Sequence, residues 1–155
     1  MMKIVHVNVN GTDVELAVEE GESLTDTLRN RLGLTSVKKG CEVGECGACT
    51  ILLDGKSVNS CIYLTVWAEG HSILTVEGLN RNPGELHPVQ QAFVDEAAVQ
   101  CGFCTPGLIM TGVEIATSGI TYTREELREL ISGHLCRCTG YENILNALEK
   151  VVGKQ

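Results

Sequence analysis

The sequence predicts an α+β protein in two parts, a small mixed sheet with one helix followed by a helical bundle. Three observations carry this. Apolar residues alternate over the first stretch and then recur at helical spacing in the second half. The change falls in "LNRNPGELHPVQ", which is rich in turn formers. The eight cysteines divide the same way, with Cys41, Cys46, Cys49 and Cys61 before the change and Cys101, Cys104, Cys136 and Cys138 after it.

The elements follow in order. Val5, Val7 and Val9 share one face of a strand, and Asn10-Gly11 is a hairpin turn signal. Val14, Leu16 and Val18 form the return strand. Ser23 with Asp26 resembles a capping box, so a helix is expected over 24–31, ended by Gly33. "KKGCEVGECGACT" has no period and reads as a loop wrapped around something. "TILL" is a strand, Asp54-Gly55 a tight turn, and 57–66 the return strand. That strand would put Cys61, Tyr63 and Trp67 on one face, with Trp67 in the core or an interface. "SILTVEG" at 72–78 is the last strand.

Beyond the linker the period is helical. Val89, Ala92 and Phe93 start a helix running to about Val99. A second spans 106–117, with Pro106 in its first turn, where its missing N–H costs nothing. Ile109, Val113 and Ala116 line its inner face. Thr123 with Glu126 caps a third helix carrying Leu127, Leu130 and Ile131. The last, over 141–152, shows Ile144, Leu148, Val151 and Val152 at three- and four-residue intervals.

Composition narrows the function. Twelve basic residues against 20 acidic give a formal charge of -8, which does not suit nucleic acid. No apolar run approaches the ~18 residues of a membrane span. "MMKIVHVNVNG" lacks a signal-peptide pattern, so the expectation is a soluble, cytoplasmic chain. In a reducing compartment eight cysteines point to metal ligation rather than disulfides.

The first set is spaced C-x4-C-x2-C-x11-C, and its x4-x2 run matches a plant-type [2Fe–2S] site. Gly40, Gly44 and Gly47 are expected to take positive φ and bring backbone N–H groups to the sulfurs. Lys38 and Lys39 either moderate the cluster's charge or form an exposed basic pair. The second set, Cys101-x2-Cys104 and Cys136-x-Cys138, leaves iron–sulfur and four-cysteine zinc both open on spacing alone. A disulfide within C-x-C would be strained. His6, His71, His87 and His134 fit no Rieske pattern. His134 reads first as a turn or helix-end residue and second as a support beside the cysteines it precedes, Tyr141 as packing against the cysteine loop. Arg137 offsets cluster charge, reaches a partner or simply faces solvent. No nucleophile–base pair or nucleotide loop appears.

"KKGCEVGECGACTILLDGKSVNSC", "VQCGFCTPGLIM" and "LCRCTGYENI" together hold all eight cysteines. In these motifs, and over nearly its whole length, the chain resembles the small iron–sulfur subunit of the molybdenum hydroxylases. That family includes xanthine dehydrogenase, aldehyde oxidoreductases, carbon monoxide dehydrogenase and 4-hydroxybenzoyl-CoA reductase. The resemblance implies a plant-type ferredoxin-like (β-grasp) domain over 1–77, a linker over 78–85 and a four-helix-bundle-like [2Fe–2S] domain over 86–155. It implies two [2Fe–2S] clusters on this chain, the second beside a molybdopterin-type molybdenum cofactor and the first nearer a flavin. Molybdenum and FAD would reside on a large molybdopterin-binding subunit and a medium FAD-binding subunit. Gln100 and Cys138 would lie against the pterin, Cys138 being also a cluster ligand. The implied role is electron transfer for a complex oxidising purines or aldehydes, with no turnover by this chain alone. A free-standing double-cluster ferredoxin and a zinc-stapled interaction protein are the other classes.

Overall fold

The computed structural model describes residues 1–80 and 82–152. Arg81, in the expected linker, and 153–155, the end of the expected helical domain, lie outside them.

β1 (Met2–Val9) and β2 (Thr12–Glu19) form the expected hairpin. Asn10 (φ 53) and Gly11 (φ 84) both take the left-handed conformation that a two-residue turn needs to match strand twist. Val5, Val7 and Val9 are buried. Ser23 Oγ accepts from the Asp26 amide at 3.1 Å and starts α1 (Leu24–Asp26), which widens into a π-helical turn over Thr27–Arg31. Leu24 and Leu28 from this segment seal one face of the sheet.

β3 (Thr50–Leu53) and β4 (Lys56–Asn59) are joined by a second left-handed pair, Asp54 (φ 49) and Gly55 (φ 80). β5 (Ser72–Leu74) completes a sheet of order β2-β1-β5-β3-β4. β5 runs parallel to β1 and antiparallel to β3. Ile51 packs into the core with α1, whereas Leu52 joins the core of the helices. β3 is therefore covered on both faces, which explains its uninterrupted apolar sequence.

Two strands are shorter than expected. The return strand stops at Asn59 because Ser60 turns to bond the Cys49 carbonyl, through its amide at 3.4 Å and its hydroxyl at 2.7 Å. A 3₁₀ turn over Ser60–Ile62 follows, so Cys61 is not on a strand. Another over Thr65–Ala68 breaks the alternation. Trp67 is exposed, its ring edge-on to Tyr63 at 5.6 Å. Likewise β5 ends at Leu74, and Val76–Gly78 is a 3₁₀ turn.

The helices are α2 (Pro88–Asp95), α3 (Thr105–Thr117), α4 (Arg124–Leu130) and α5 (Glu142–Val151). α2 stops short of Val99 because Ala97 turns to φ 49 and its neighbours close onto the last carbonyls. The expected Thr123–Glu126 capping box is present on α4, although Leu130 is exposed while Leu127 and Ile131 are buried. Phe93, Leu108, Leu127, Ile144, Leu145 and Leu148 fill the helical core. α3 is buried continuously from Gly107 to Val113, since it packs on helices one side and on β3 the other. Glu114 extends that second contact to β4 by accepting from the Ser57 amide at 2.8 Å.

Candidate metal centres

The first cysteine set forms a nest in the loop between α1 and β3. Its neck closes where the Lys38 amide bonds the Ala48 carbonyl at 3.2 Å. Inside, the amides of Val43, Glu45 and Cys46 all donate to Cys41 Sγ, at 3.4, 3.2 and 3.3 Å. These donors hold the Cys41 thiol down to about 6, favouring thiolate. Gly44 (φ 80) and Gly47 (φ 70) supply the expected left-handed turns. Gly40 does not; its constraint is space, because a Cβ there would stand 2.7 Å from Cys46 Sγ. Asn59 Nδ2 donates to the Gly44 carbonyl at 3.0 Å and ties the loop to β4. Cys49 is buried, and the Ser60 turn brings Cys61 beside it. Burial first, and Cys49 second, push the Cys61 thiol up to about 11. Lys39 is committed to Asp26 at 2.9 Å and Glu42 at 2.8 Å.

The second set lies at helix ends. Cys104 is the buried N-cap of α3, its thiol pushed up to about 12 by burial and then by Cys136. For Cys136, burial acts upward, but the Thr139 hydroxyl at 3.0 Å and nearby amides outweigh it and the thiol falls below its ordinary value. Cys101 and Cys138 are exposed and adjacent, and Cys101 raises the Cys138 thiol. They open on a cleft of about 560 Å³ lined also by Phe103, Leu135, Arg137 and Tyr141. Arg137 is exposed, as is Gln100, the residue before Cys101. Tyr141 does more than pack. Its hydroxyl accepts from the Cys136 amide at 2.7 Å and donates to the His134 carbonyl at 3.0 Å.

All eight cysteines are free thiols, and within each nest they stand in pairs. Cys41 is beside Cys46 and Cys49 beside Cys61. Cys104 is beside Cys136 and Cys101 beside Cys138. A structural zinc site draws four ligands onto one point. Paired soft donors fit a dinuclear iron–sulfur cluster better.

The two nests touch. The Leu135 amide donates to the Cys46 carbonyl at 3.0 Å. Beneath this bond His134 is buried, with Nε2 and Thr111 Oγ1 2.7 Å apart. Its burial lowers the imidazole to about 4, so the ring is neutral. The only local sign of this placement is that His134 lies two residues before Cys136; an isolated Gly107 within an apolar helix is the further pointer to a close approach. His6 and His71 instead make surface pairs, with Glu69 and Glu15 and with Asp54.

Comparison with known proteins agrees with this arrangement. Residues 7–72 match the family of 2Fe-2S iron-sulfur cluster binding domains, and residues 75–149 the [2Fe-2S] binding domain family. The chain is 50% identical over 151 residues to the caffeine dehydrogenase subunit gamma of Pseudomonas sp. (strain CBB1), covering 96% of this chain and 90% of that one. It is 47% identical over 150 residues to the xanthine dehydrogenase iron-sulfur-binding subunit of Escherichia coli O157:H7, covering 93% and 91%. In structure it matches quinoline 2-oxidoreductase from Pseudomonas putida 86 with a TM-score of 0.90 at 45% identity, over 96% of this chain and 91% of that one. With its ferredoxin-like sheet domain, its second [2Fe–2S]-binding domain and relatives at this identity over almost the full length, the chain belongs to the iron–sulfur subunits of the molybdenum hydroxylases.

Proposed function

We propose that this chain relays electrons through two [2Fe–2S] clusters, between a molybdopterin active site on a large partner subunit and a flavin on a medium subunit or another acceptor. Cys41, Cys46, Cys49 and Cys61 hold one cluster. Cys101, Cys104, Cys136 and Cys138 hold the other. The clusters supply one-electron storage, which lets two-electron oxidation of a substrate be drained singly. The observation that carries the reading is the Leu135–Cys46 hydrogen bond, which puts one backbone contact between a ligand of the first set and the neighbour of a ligand of the second. The chain's part is to fix that spacing and to tune each site by amide and hydroxyl donors on sulfur.

Exposure supports separate partner faces. Phe103 (45% exposed) and Leu135 (61%) flank the second nest, while Val43 (65%) and Ile62 (57%) flank the first. The exposed Cys138 and Gln100 face the molybdenum side, where Gln100 bonds the pterin edge and Cys138 links cluster to pterin. Caffeine, xanthine and quinoline in the relatives' names are fused nitrogen heteroaromatics, which favours that substrate class over aldehydes. No helix among the described residues could cross a membrane. Free thiols in this number suit the cytoplasm.

The test is purification of the native complex. We expect about four irons and four sulfides per chain, two distinct [2Fe–2S] signals by low-temperature EPR, and a larger molybdenum-containing partner. Zinc in place of iron after anaerobic preparation, or absence of that partner, overturns the proposal. Cluster reduction by fused heteroaromatics and by aldehydes then decides the substrate class.

A further inference from the structure

We infer that His134, Gly47 and Gly107 form a positioning device that fixes the distance between the two cysteine nests and so sets how fast an electron passes from one to the other. The inference rests on the two-cluster relay proposed above.

The three residues come from three of the segments that carry the cysteines. Gly47 lies between Cys46 and Cys49, Gly107 is in the first turn of α3 after Cys104, and His134 precedes Cys136. At their meeting point no side chain fits. A Cβ on Gly107 would stand 2.2 Å from the Gly47 carbonyl oxygen, and a Cβ on Gly47 would stand 2.5 Å from His134 Nδ1 and 2.6 Å from the Gly133 carbonyl oxygen. The nests are thus held at backbone contact, and the Leu135–Cys46 hydrogen bond forms beside it.

His134 orients the assembly. Only 6% of its surface is exposed. Thr111, one helical turn beyond Gly107, holds Nε2 at 2.7 Å, while Nδ1 lies against the Gly47 backbone, which acts on the ring as a hydrogen-bond partner. The ring thus keys the loop before Cys136 to α3 through Thr111 and to the first nest through Gly47. Gly107→Ala separates the segments by steric contact. Thr111→Val is isosteric and removes the orienting bond together with the long Ser57 hydroxyl contact at 3.5 Å. Thr111→Ser keeps both.

The experiment uses the intact complex carrying each variant. Three quantities are read: amide exchange at Leu135, the spin–spin splitting between the two reduced clusters in EPR, and the freeze-quench rate at which reduction reaches the first cluster after the second. In Gly107→Ala we expect Leu135 exchange about tenfold faster, a smaller splitting, and slower arrival at the first cluster with unchanged arrival at the second. Thr111→Val shifts all three in the same direction by less, and Thr111→Ser restores the parent values. Where Gly107→Ala fails to load both clusters, the Thr111 pair decides by the same comparison. Parent splitting and parent rates in Thr111→Val with both signals at full intensity overturn the inference. A parent complex in which reduction never passes from the second cluster to the first removes the relay itself, a separate outcome.

Discussion

The two cysteine nests solve one problem with different materials. The first is an irregular loop whose own amides turn inward, three of them onto Cys41 Sγ. Left-handed residues make this possible, Glu42, Gly44 and Gly47 among them. The second is assembled from the ends of regular elements, and its sulfur donors include the Thr139 hydroxyl. The loop hides Cys49 and binds its donors by chain geometry. The helix ends leave Cys101 and Cys138 open to solvent. A site made of one local loop is set by backbone conformation. A site made of distant helix ends is set by packing, and is the one that leaves two of its cysteines at the surface.

The largest effects should come from removing a buried cysteine on either side. Cys49→Ser and Cys104→Ser should each leave about two of the four irons, with one EPR signal lost and the other kept. Loss of both signals from either change would mean the nests are not independent. Next comes the backbone of the loop. Gly47→Ala and Gly33→Ala both force an L-residue into positive φ, but only Gly47 also meets neighbouring atoms. Gly33→Ala should cost about 1–2 kcal/mol and Gly47→Ala about 3 kcal/mol or more, read by denaturant unfolding of the cluster-loaded protein. Equal costs would show that the contact across the nests yields easily.

Tyr141→Phe probes the helical site. It removes the hydroxyl between the Cys136 amide and the His134 carbonyl and should cost about 1–3 kcal/mol. The second EPR signal should broaden and the first stay unchanged. The smallest effect concerns the tether of the first loop. Glu77 accepts from the Ser36 amide at 3.0 Å and from the Ser36 and Thr75 hydroxyls at 2.5 and 2.6 Å. Burial works upward on this carboxyl, but those donors win and its pKa lies below the ordinary 4.5. A depressed carboxyl stabilises above the unfolded value and loses that contribution as pH falls through the folded one. Glu77→Gln should therefore flatten the acid loss of stability below about pH 4.5, measured by thermal melts across that range.

Local chemistry made much of this legible. Asn10-Gly11, Asp54-Gly55, the one-way cap at Ser23 and the box at Thr123 each announce a structure that depends only on neighbouring residues. Cysteine spacing likewise located both nests. What failed was set at a distance. β4 ends at Asn59 because Ser60 bonds Cys49 across the nest, an event no alternation rule could see. Trp67 left its expected face because 3₁₀ turns replaced the strand. His134 looked like a turn residue because its burial is created by Gly47 and Thr111, far away in sequence.

The Leu135–Cys46 bond also has a temporal consequence. Ribosomes deliver Cys46 long before Leu135, so the first loop leaves the exit tunnel without the contact that closes over it. Its thiols are complete once Cys61 has emerged, while the clasp is still untranslated. The first nest is therefore open on that side until the loop between α4 and α5 has been made.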